Sequence, residues 1–232
     1  MNVAIIPARG GSKRIPGKNI KDFAGKPIIH YSIKAAIESD LFEKIIVSTD
    51  SEEIADIARK AGAEVPFIRP GSLSDDNTPT APVLEHAINW LNDHGEKVKY
   101  CCCIYAASPF VTSKSIQDGF SLLSQSKAST VFTVTTFESC VFRGLKVTAN
   151  GHIKMLWPEN KLKRSQDFED VYHDAGQLYW FDSDKFLKSK TLFSEKSLPL
   201  VLPRYMVQDV DTVEDWETAE LLFNVCKSKG LL

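Results

Sequence analysis

Short apolar runs alternate along the chain with longer segments of helical period. Residues 3–6 (Val-Ala-Ile-Ile) have the length and unbroken hydrophobicity of a buried strand. A long polar loop follows. Residues 27–39 then place Ile29, Ile33 and Ile37 four apart on one face of a helix, and Pro27 suits its first turn. Residues 45–49 predict a strand and 52–62 a helix stopped at Gly62. Residues 65–68 predict another strand. Residues 80–93 predict a helix with Val83, Ala87 and Leu91 on one face. The continuous apolar run 101–105 suits the middle of a parallel sheet. Ser113 opens a further helix, and 130–137 reads as a further strand. This β-loop-α alternation predicts an α/β fold, a mostly parallel sheet flanked by helices.

The rhythm changes after residue 137. Residues 145–157 set Asn150-Gly151 between two alternating runs, which predicts a hairpin with a type I′ turn. A polar stretch, 158–170, comes next. The parallel rhythm is expected to resume at 177–181, and a last helix to run from about Val213 to Lys229, with Thr212 and Asp215 as a capping pair. Residues 1–232 thus read as one domain, with an inserted antiparallel ribbon at about 138–172. Ligands of such sheets bind beyond the carboxyl ends of the strands, so chemistry is expected in loops 7–26, 50–51, 69–80 and 106–112.

Composition narrows the class. The hydrophobic fraction is 43%, enough for a real core. Lys and Arg number 28 against 30 Asp and Glu, a net charge of −2, without the broad basic surface that nucleic-acid binding needs. No apolar run reaches the roughly 18–20 residues of a membrane span. The N-terminal segment reads as a first strand rather than a signal peptide. Of the five cysteines, Cys101, Cys102 and Cys103 are adjacent in an apolar run and none forms a CxxC pair. They read as buried small hydrophobes in a reducing, cytoplasmic compartment.

The strongest chemical signal follows the first strand. Between residues 7 and 26 stand Arg9, Lys13, Arg14, Lys18, Lys21 and Lys26 against the single acid Asp22. Gly10 and Gly11 would let backbone N–H groups approach an anion, and the cations beside them would neutralise a polyphosphate. Neither GxxxxGK[ST] nor GxGxxG is present. The second signal is Asp209-Val210-Asp211. In an extended strand residues two apart point the same way, giving two hard oxygen ligands for Mg²⁺ held jointly with phosphates. Asp50 is either a helix cap or a ligand contact, and Arg69 either a surface residue or an anion contact. Residues 105–109 should line the cleft. His173 to Gln177 gather several polar groups ahead of a late strand, with a structural role for His173 as the alternative. No nucleophile elbow is present, so direct displacement at phosphorus is expected.

At Ile6-Pro7-Ala8-Arg9-Gly10-Gly11-Ser12-Lys13-Arg14-Ile15-Pro16-Gly17-Lys18-Asn19 the chain resembles the CMP-sialic acid synthetase family, the cytidylyltransferases that activate nine-carbon acidic sugars. The likeness runs nearly end to end, through 45–58, Arg69-Pro70 to Asp76, Ala107 to Phe110, and the Asp209 to Asp215 close. Cys103 to Ala106, Arg164 to Asp167 and Tyr172 to Trp180 are most similar to family members that take pseudaminic acid. Users of N-acetylneuraminate read Leu-Gln-Pro-Thr-Ser-Pro and Asn-Gly-Ala at the first and third of these places. Ala107 stands where a hydroxyl residue is common in the family.

The resemblance implies a Rossmann-like nucleotidyltransferase fold, Mg²⁺, and a homodimer whose insertion reaches over the partner's site. It implies that Ala8, Arg9, Gly10, Gly11, Ser12, Lys18, Asn19 and Arg69 bind nucleotide and that Asp209 and Asp211 hold the metal. Arg9, Lys18 and Asp211 would be catalytic, and Tyr105, Arg164, His173 and Gln177 would face the sugar. The expected substrates are CTP and a nonulosonic acid, most closely pseudaminic acid, with no nucleic acid and no membrane. The sugar hydroxyl would attack the α-phosphorus and release pyrophosphate. N-acetylneuraminate, legionaminate or 3-deoxy-manno-octulosonate activation, or more remotely a DxD glycosyltransferase, are the alternatives.

Overall fold

A computed structural model describes all 232 residues. The first half contains β1 (Asn2–Pro7), the two-residue strands β2 (Asp22–Phe23) and β3 (Lys26–Pro27), α1 (Ile29–Glu38), β4 (Lys44–Ser48) and α2 (Glu52–Lys60). Next come α3 (Thr80–Asp93), β5 (Tyr100–Ile104), α4 (Ser113–Ser124) and β6 (Thr130–Thr136). The chain ends with β7 (Leu145–Val147), β8 (Ile153–Met155), β9 (Tyr172–Asp182), α5 (Ser183–Ser189), β10 (Ser197–Val201) and α6 (Val213–Ser228). No helix is long and apolar enough to cross a membrane.

The main sheet has the order β10-β6-β9-β5-β1-β4. β1 pairs parallel with β4 and β5, and β10 pairs parallel with β6. β9 runs antiparallel to both β5 and β6, against the expectation that the parallel rhythm resumes at 177–181. The cause is the excursion 137–171. It leaves β6 at Thr136 and returns beside the same residue, at Tyr172, without a crossover to the far end of the sheet, so the chain can only run back. Residues 65–68 form no strand either. Isolated bridges hold Glu64 to Ile46 and Ile68 to Thr49, and Pro66 between them has no N–H to extend the ladder.

Pleating divides the core. Ala4, Ile6, Val47, Cys102, Ile104 and Trp180 meet Ile29, Ile33, Ile54 and Ile116 from α1, α2 and α4. Val3, Ile5, Ile46, Cys101, Cys103 and Phe181 meet Leu84, Ile88 and Leu91 of α3 and Phe186 of α5. The three adjacent thiols therefore point to alternate faces. All are unpaired, and burial pushes each of them up. A third cluster joins Ile15, Phe23, Ile28 and Phe110 to Met206, Val210, Trp216 and Phe223, and so ties the first loop to α6. The Thr212–Asp215 capping box starts α6 as expected. Pro27 lies in β3 rather than in the first turn of α1, which begins at Ile29.

The expected ribbon forms as β7 paired with β8. Its loop spans 148–152, closed by the Thr148 N–H on the His152 carbonyl (2.8 Å) and the Gly151 N–H on the Thr148 carbonyl (2.9 Å). Of Asn150 and Gly151 only the glycine has positive φ (+79°), so the turn is not type I′. The Asn150 side chain instead accepts the Thr148 hydroxyl at 2.5 Å.

Gly119 of α4 lies against Trp180, where a Cβ would stand 2.9 Å from the indole Cδ1. The indole cannot swing away, because it is buried and donates to the Ile116 carbonyl at 2.9 Å. Gly119→Val should therefore lower stability by about 2 kcal/mol or more through overpacking. Urea unfolding would show this as a lower midpoint at unchanged slope.

Candidate functional site

A cleft of about 490 Å³ opens beyond the carboxyl ends of β1 and β5. Four chain segments line it: Pro7 to Asn19, Arg69 to Val83, Tyr105 to Ser108, and Gln208 to Asp211, with Gly176 added from β9. The first segment is anchored by Ile15, buried in the cluster with Phe23 and Trp216. Gly17 at φ +63° turns the chain into the short 3₁₀ segment Lys18–Ile20. Buried Asn19 lines the cleft and donates its amide to the Arg9 carbonyl at 2.9 Å, bracing the loop across its own base.

The loop's cations meet carboxylates on both sides of the cleft. Arg9 pairs with Asp76 at 2.6 Å and donates to the Asp75 carbonyl at 3.1 Å. Lys13 also pairs with Asp76. Lys13 and Arg9 hold the Asp76 carboxyl below the usual range. Opposite, Arg14 and Lys18 pair with Asp211 at 2.8 and 3.4 Å, and Lys18 donates to the Val210 carbonyl at 2.8 Å. Asp209 has no cation within ion-pair reach of its own. Desolvation at the cleft, then the charge of Asp211, push its carboxyl up.

Asp209 and Asp211 share the cleft although residues 207–211 form no strand. Val210 turns inward to the cluster with Trp216, and the backbone N–H groups of Asp211 and Thr212 donate to Asp215 at 3.1 and 2.7 Å. The inward residue and the helix cap impose the same-side arrangement that strand geometry would have given.

Arg69 is buried beneath the cleft. It donates to the Ser74 hydroxyl at 3.0 Å and the Ser48 carbonyl at 3.2 Å, and stands 3.7 Å from Asp50. Asp50 does not cap α2, which Ser51 caps. Its carboxylate instead accepts the Gly10 N–H at 2.9 Å. A Cβ on Gly10 would lie 3.2 Å from the Ser51 Cβ. Gly10 thus serves close packing of the loop on Asp50 and Ser51, and its N–H is taken by the Asp50 carboxylate. Gly11 is exposed outside the cleft lining, and Ala8 is buried in the core.

Of the residues expected beside the sugar, only Tyr105 lines the cleft. Arg164 is exposed, in a two-point pair with Asp167 at 3.1 and 3.0 Å. His173 is exposed against Phe137, with ring centroids 5.0 Å apart. Gln177 is buried and donates to the Met206 carbonyl at 2.7 Å, away from the cleft and towards the segment that carries Asp209. Ser108 lines the cleft as expected for 105–109, whereas Asp75, Asp76, Thr78, Thr80 and Gln208 line it without having been singled out. For Asp76 a signal existed, since it closes the Arg69-Pro70 motif, but its role depends on a fold that brings it to Arg9.

Five cations and the Asp209 and Asp211 carboxylates share one cleft beyond the ends of parallel strands, a set that can neutralise a polyphosphate and offer hard oxygens to a cation, as a nucleotidyltransferase site requires. The model of the cytidylyltransferase family matches residues 3–201, and the chain belongs to that family. It is 39% identical, over 97% of both chains, to the pseudaminic acid cytidylyltransferase of Campylobacter jejuni. It is 30% identical, over 96% of both, to the CMP-N,N′-diacetyllegionaminic acid synthase of Legionella pneumophila. Among solved structures, CMP:2-keto-3-deoxy-manno-octonic acid synthetase complexed with CTP superposes with a TM-score of 0.70 at 16% identity. That match covers 97% of this chain and 98% of the other, and it supports the fold.

Lys18 reaches into the cleft, whereas Lys97 is exposed elsewhere. Lys18→Ala should weaken binding of inorganic tripolyphosphate by about 10-fold or more, the scale of one charge-assisted hydrogen bond. Lys97→Ala should leave it unchanged. Titration calorimetry of both variants checks the contrast, and equal effects would reduce the loop to a solvated charge run.

Proposed function

We propose that the protein transfers CMP from CTP to the anomeric hydroxyl of pseudaminic acid, a nine-carbon acidic sugar, and releases pyrophosphate. The observation that carries this reading is the pairing of four loop cations with Asp76 and Asp211 across one cleft. The full-length similarity to a pseudaminic acid cytidylyltransferase supports the choice of sugar.

Arg9, Lys13, Arg14 and Lys18 exchange their carboxylate partners for phosphate oxygens of the nucleotide. The exchange is cheap, because half-exposed ion pairs contribute only about 0–1 kcal/mol each. The cations are already aimed at the cleft, so little reorganisation is needed as charge develops on the triphosphate. The sugar hydroxyl oxygen bonds to the α-phosphorus in line and gives up its proton to solvent water, the bond from that phosphorus to its bridging oxygen breaks, and pyrophosphate departs with the electron pair. Tyr105, Gly176 and Ser108 also line the cleft and carry no charge, and the sugar lies against them.

Asp209 and Asp211 fit Mg²⁺ by the hardness of their oxygens and by sharing one cleft. No group of three or more His, Cys, Asp or Glu residues comes together as a metal cage, so an ion held by Asp209 and Asp211 would draw its other ligands from phosphate and water oxygens. When bound, the ion would supply charge neutralisation and polarisation of phosphate oxygens.

The working unit is a homodimer. The β7–β8 ribbon leaves Val147 74% and Ile153 69% exposed, and Leu162 beyond it is 92% exposed. A two-stranded ribbon is marginal alone, and so wide an apolar face calls for a cover. A second copy supplies it. Arg164 is carried on the same insertion towards the neighbouring copy's cleft, which reconciles a sugar-binding role with its position outside its own.

With CTP, Mg²⁺ and a panel of nonulosonic acids, pyrophosphate release should be fastest on pseudaminic acid. Its kcat/KM should exceed that on N-acetylneuraminate by about 100-fold or more. Preference for N-acetylneuraminate would overturn the sugar and leave the reaction standing. Release with no sugar in the panel would overturn the reaction.

Asp209→Asn and Asp211→Asn should each lower turnover by about 100-fold or more at unchanged unfolding midpoint, the scale of losing one charge-stabilising contact. Near-normal rates at limiting Mg²⁺ would contradict the metal assignment.

Sedimentation should give a dimer at micromolar concentration. Val147→Asp combined with Ile153→Asp should give a folded monomer. A wild-type monomer would remove the argument from the ribbon.

A further inference from the structure

Asp174 belongs to β9, and the cleft chemistry described so far does not use it. It stands where the sheet is irregular. The pairing of β6 with β9 jumps from Phe132–Tyr179 to Val134–Asp174, so the residues of β9 between them arch out of register. At this arch Gly176 takes φ +62° and reaches the cleft lining.

Asp174 braces the arch with both carboxylate oxygens. Oδ1 accepts the Gly176 N–H at 2.9 Å, and Oδ2 accepts the Tyr179 hydroxyl at 2.6 Å. Tyr179 is only 2% exposed, so its hydroxyl depends on a protein partner. Its ring lies against Tyr105, with centroids 5.5 Å apart. Tyr105 lines the cleft, shares a hydrogen bond with the Thr80 hydroxyl at 3.0 Å, and donates its backbone N–H to the Gln177 carbonyl at 2.9 Å. Both oxygens of Asp174 therefore lead to one wall, formed by Gly176 and Tyr105. None of the loop cations contacts Asp174 or Tyr179. They pair with Asp76 and Asp211 instead.

Resting on the cytidylyltransferase reading, we propose that Asp174 is a positioning residue for the acidic sugar: by holding the Gly176 arch and, through Tyr179, the Tyr105 ring, it fixes the uncharged wall of the cleft. Asp174→Ala frees the Gly176 N–H and leaves a buried phenol without an acceptor, so the wall loses its shape while the phosphate side stays intact. Tyr179→Phe breaks the second link alone. Asp174→Asn keeps an acceptor for the Gly176 N–H and can donate to the phenol oxygen, so it preserves the wall.

The test is steady-state pyrophosphate release with CTP and pseudaminic acid, each varied in turn. Asp174→Ala should raise KM for the sugar by about 10-fold and Tyr179→Phe by less, and the double variant should not exceed Asp174→Ala, because the Tyr179 link runs through Asp174. KM for CTP should stay within about twofold, and Asp174→Asn should remain within about threefold of the wild type on both. If Asp174→Ala does not fold, Tyr179→Phe and Asp174→Asn still carry the comparison. An equal rise in both KM values, an unchanged sugar KM in a folded variant, or additive effects in the double variant would overturn the proposal. Wild-type activity on the panel judges the reaction itself, so failure of the reaction and failure of the Asp174 assignment give different results.

Discussion

Like charges in one cleft repel unless something stands between them, and the site is built around that constraint. Arg9, Lys13, Arg14 and Lys18 all come from one short loop and face the same space. Two carboxylates from distant parts of the chain, Asp76 and Asp211, each take two of them. The remaining architecture serves to bring these acids to the loop. Arg69 and Asp50 hold the loop's Gly10 on one flank beside the segment carrying Asp76. The cluster of Ile15, Val210 and Trp216 clamps the other flank to the segment carrying Asp211.

Most of the fold was legible because apolar periodicity and packing agree. Ala4 and Ile6 alternate with Val3 and Ile5 between two helical layers, and the helices starting at 52, 80, 113 and 213 fall where caps and periodicity place them. The misreadings are places where one residue's backbone chemistry or the return path of the chain outweighs pattern. Pro66 stops a strand that hydrophobicity alone would allow. Residues 177–181 of β9 have the composition of a buried parallel strand, because they are buried on both faces, and burial does not encode direction.

The charged side of the cleft was legible and its uncharged side obscure, for a physical reason. Phosphate binding needs density of charge, which is visible in one dimension as Arg9 to Lys18. The uncharged wall is made of single residues from separate elements, such as Tyr105 just after β5, Gly176 in β9 and Thr80 at the start of α3, and has no local signature. Gln177 shows how adjacency misleads. It lies in a polar cluster beside the cleft-lining Gly176, yet its side chain is buried against the Met206 carbonyl. The glycines mislead similarly. Gly10 reads as a phosphate-loop residue, but its missing Cβ makes room for Ser51.

Burial sorts the charges of this cleft into two kinds. The Arg69 side chain is 3% exposed and anchored by Ser48, Ser74 and Asp50, so removing a partner would strand a charge away from water. Such a group is fixed scaffold, whatever ligand arrives. Lys13, 80% exposed, loses little when it lets go of Asp76, so its pairing is exchangeable. Lys18 stands between these cases. It is more sheltered than Arg9, Lys13 and Arg14, and it is held by the Val210 carbonyl as well as by Asp211. It can therefore give its carboxylate partner to the solvent or to another cation while the carbonyl keeps it in place. A residue anchored through an uncharged acceptor and still carrying an unspent charge can remain in position as the charges around it change, and this distinguishes Lys18 from the looser cations of the same loop.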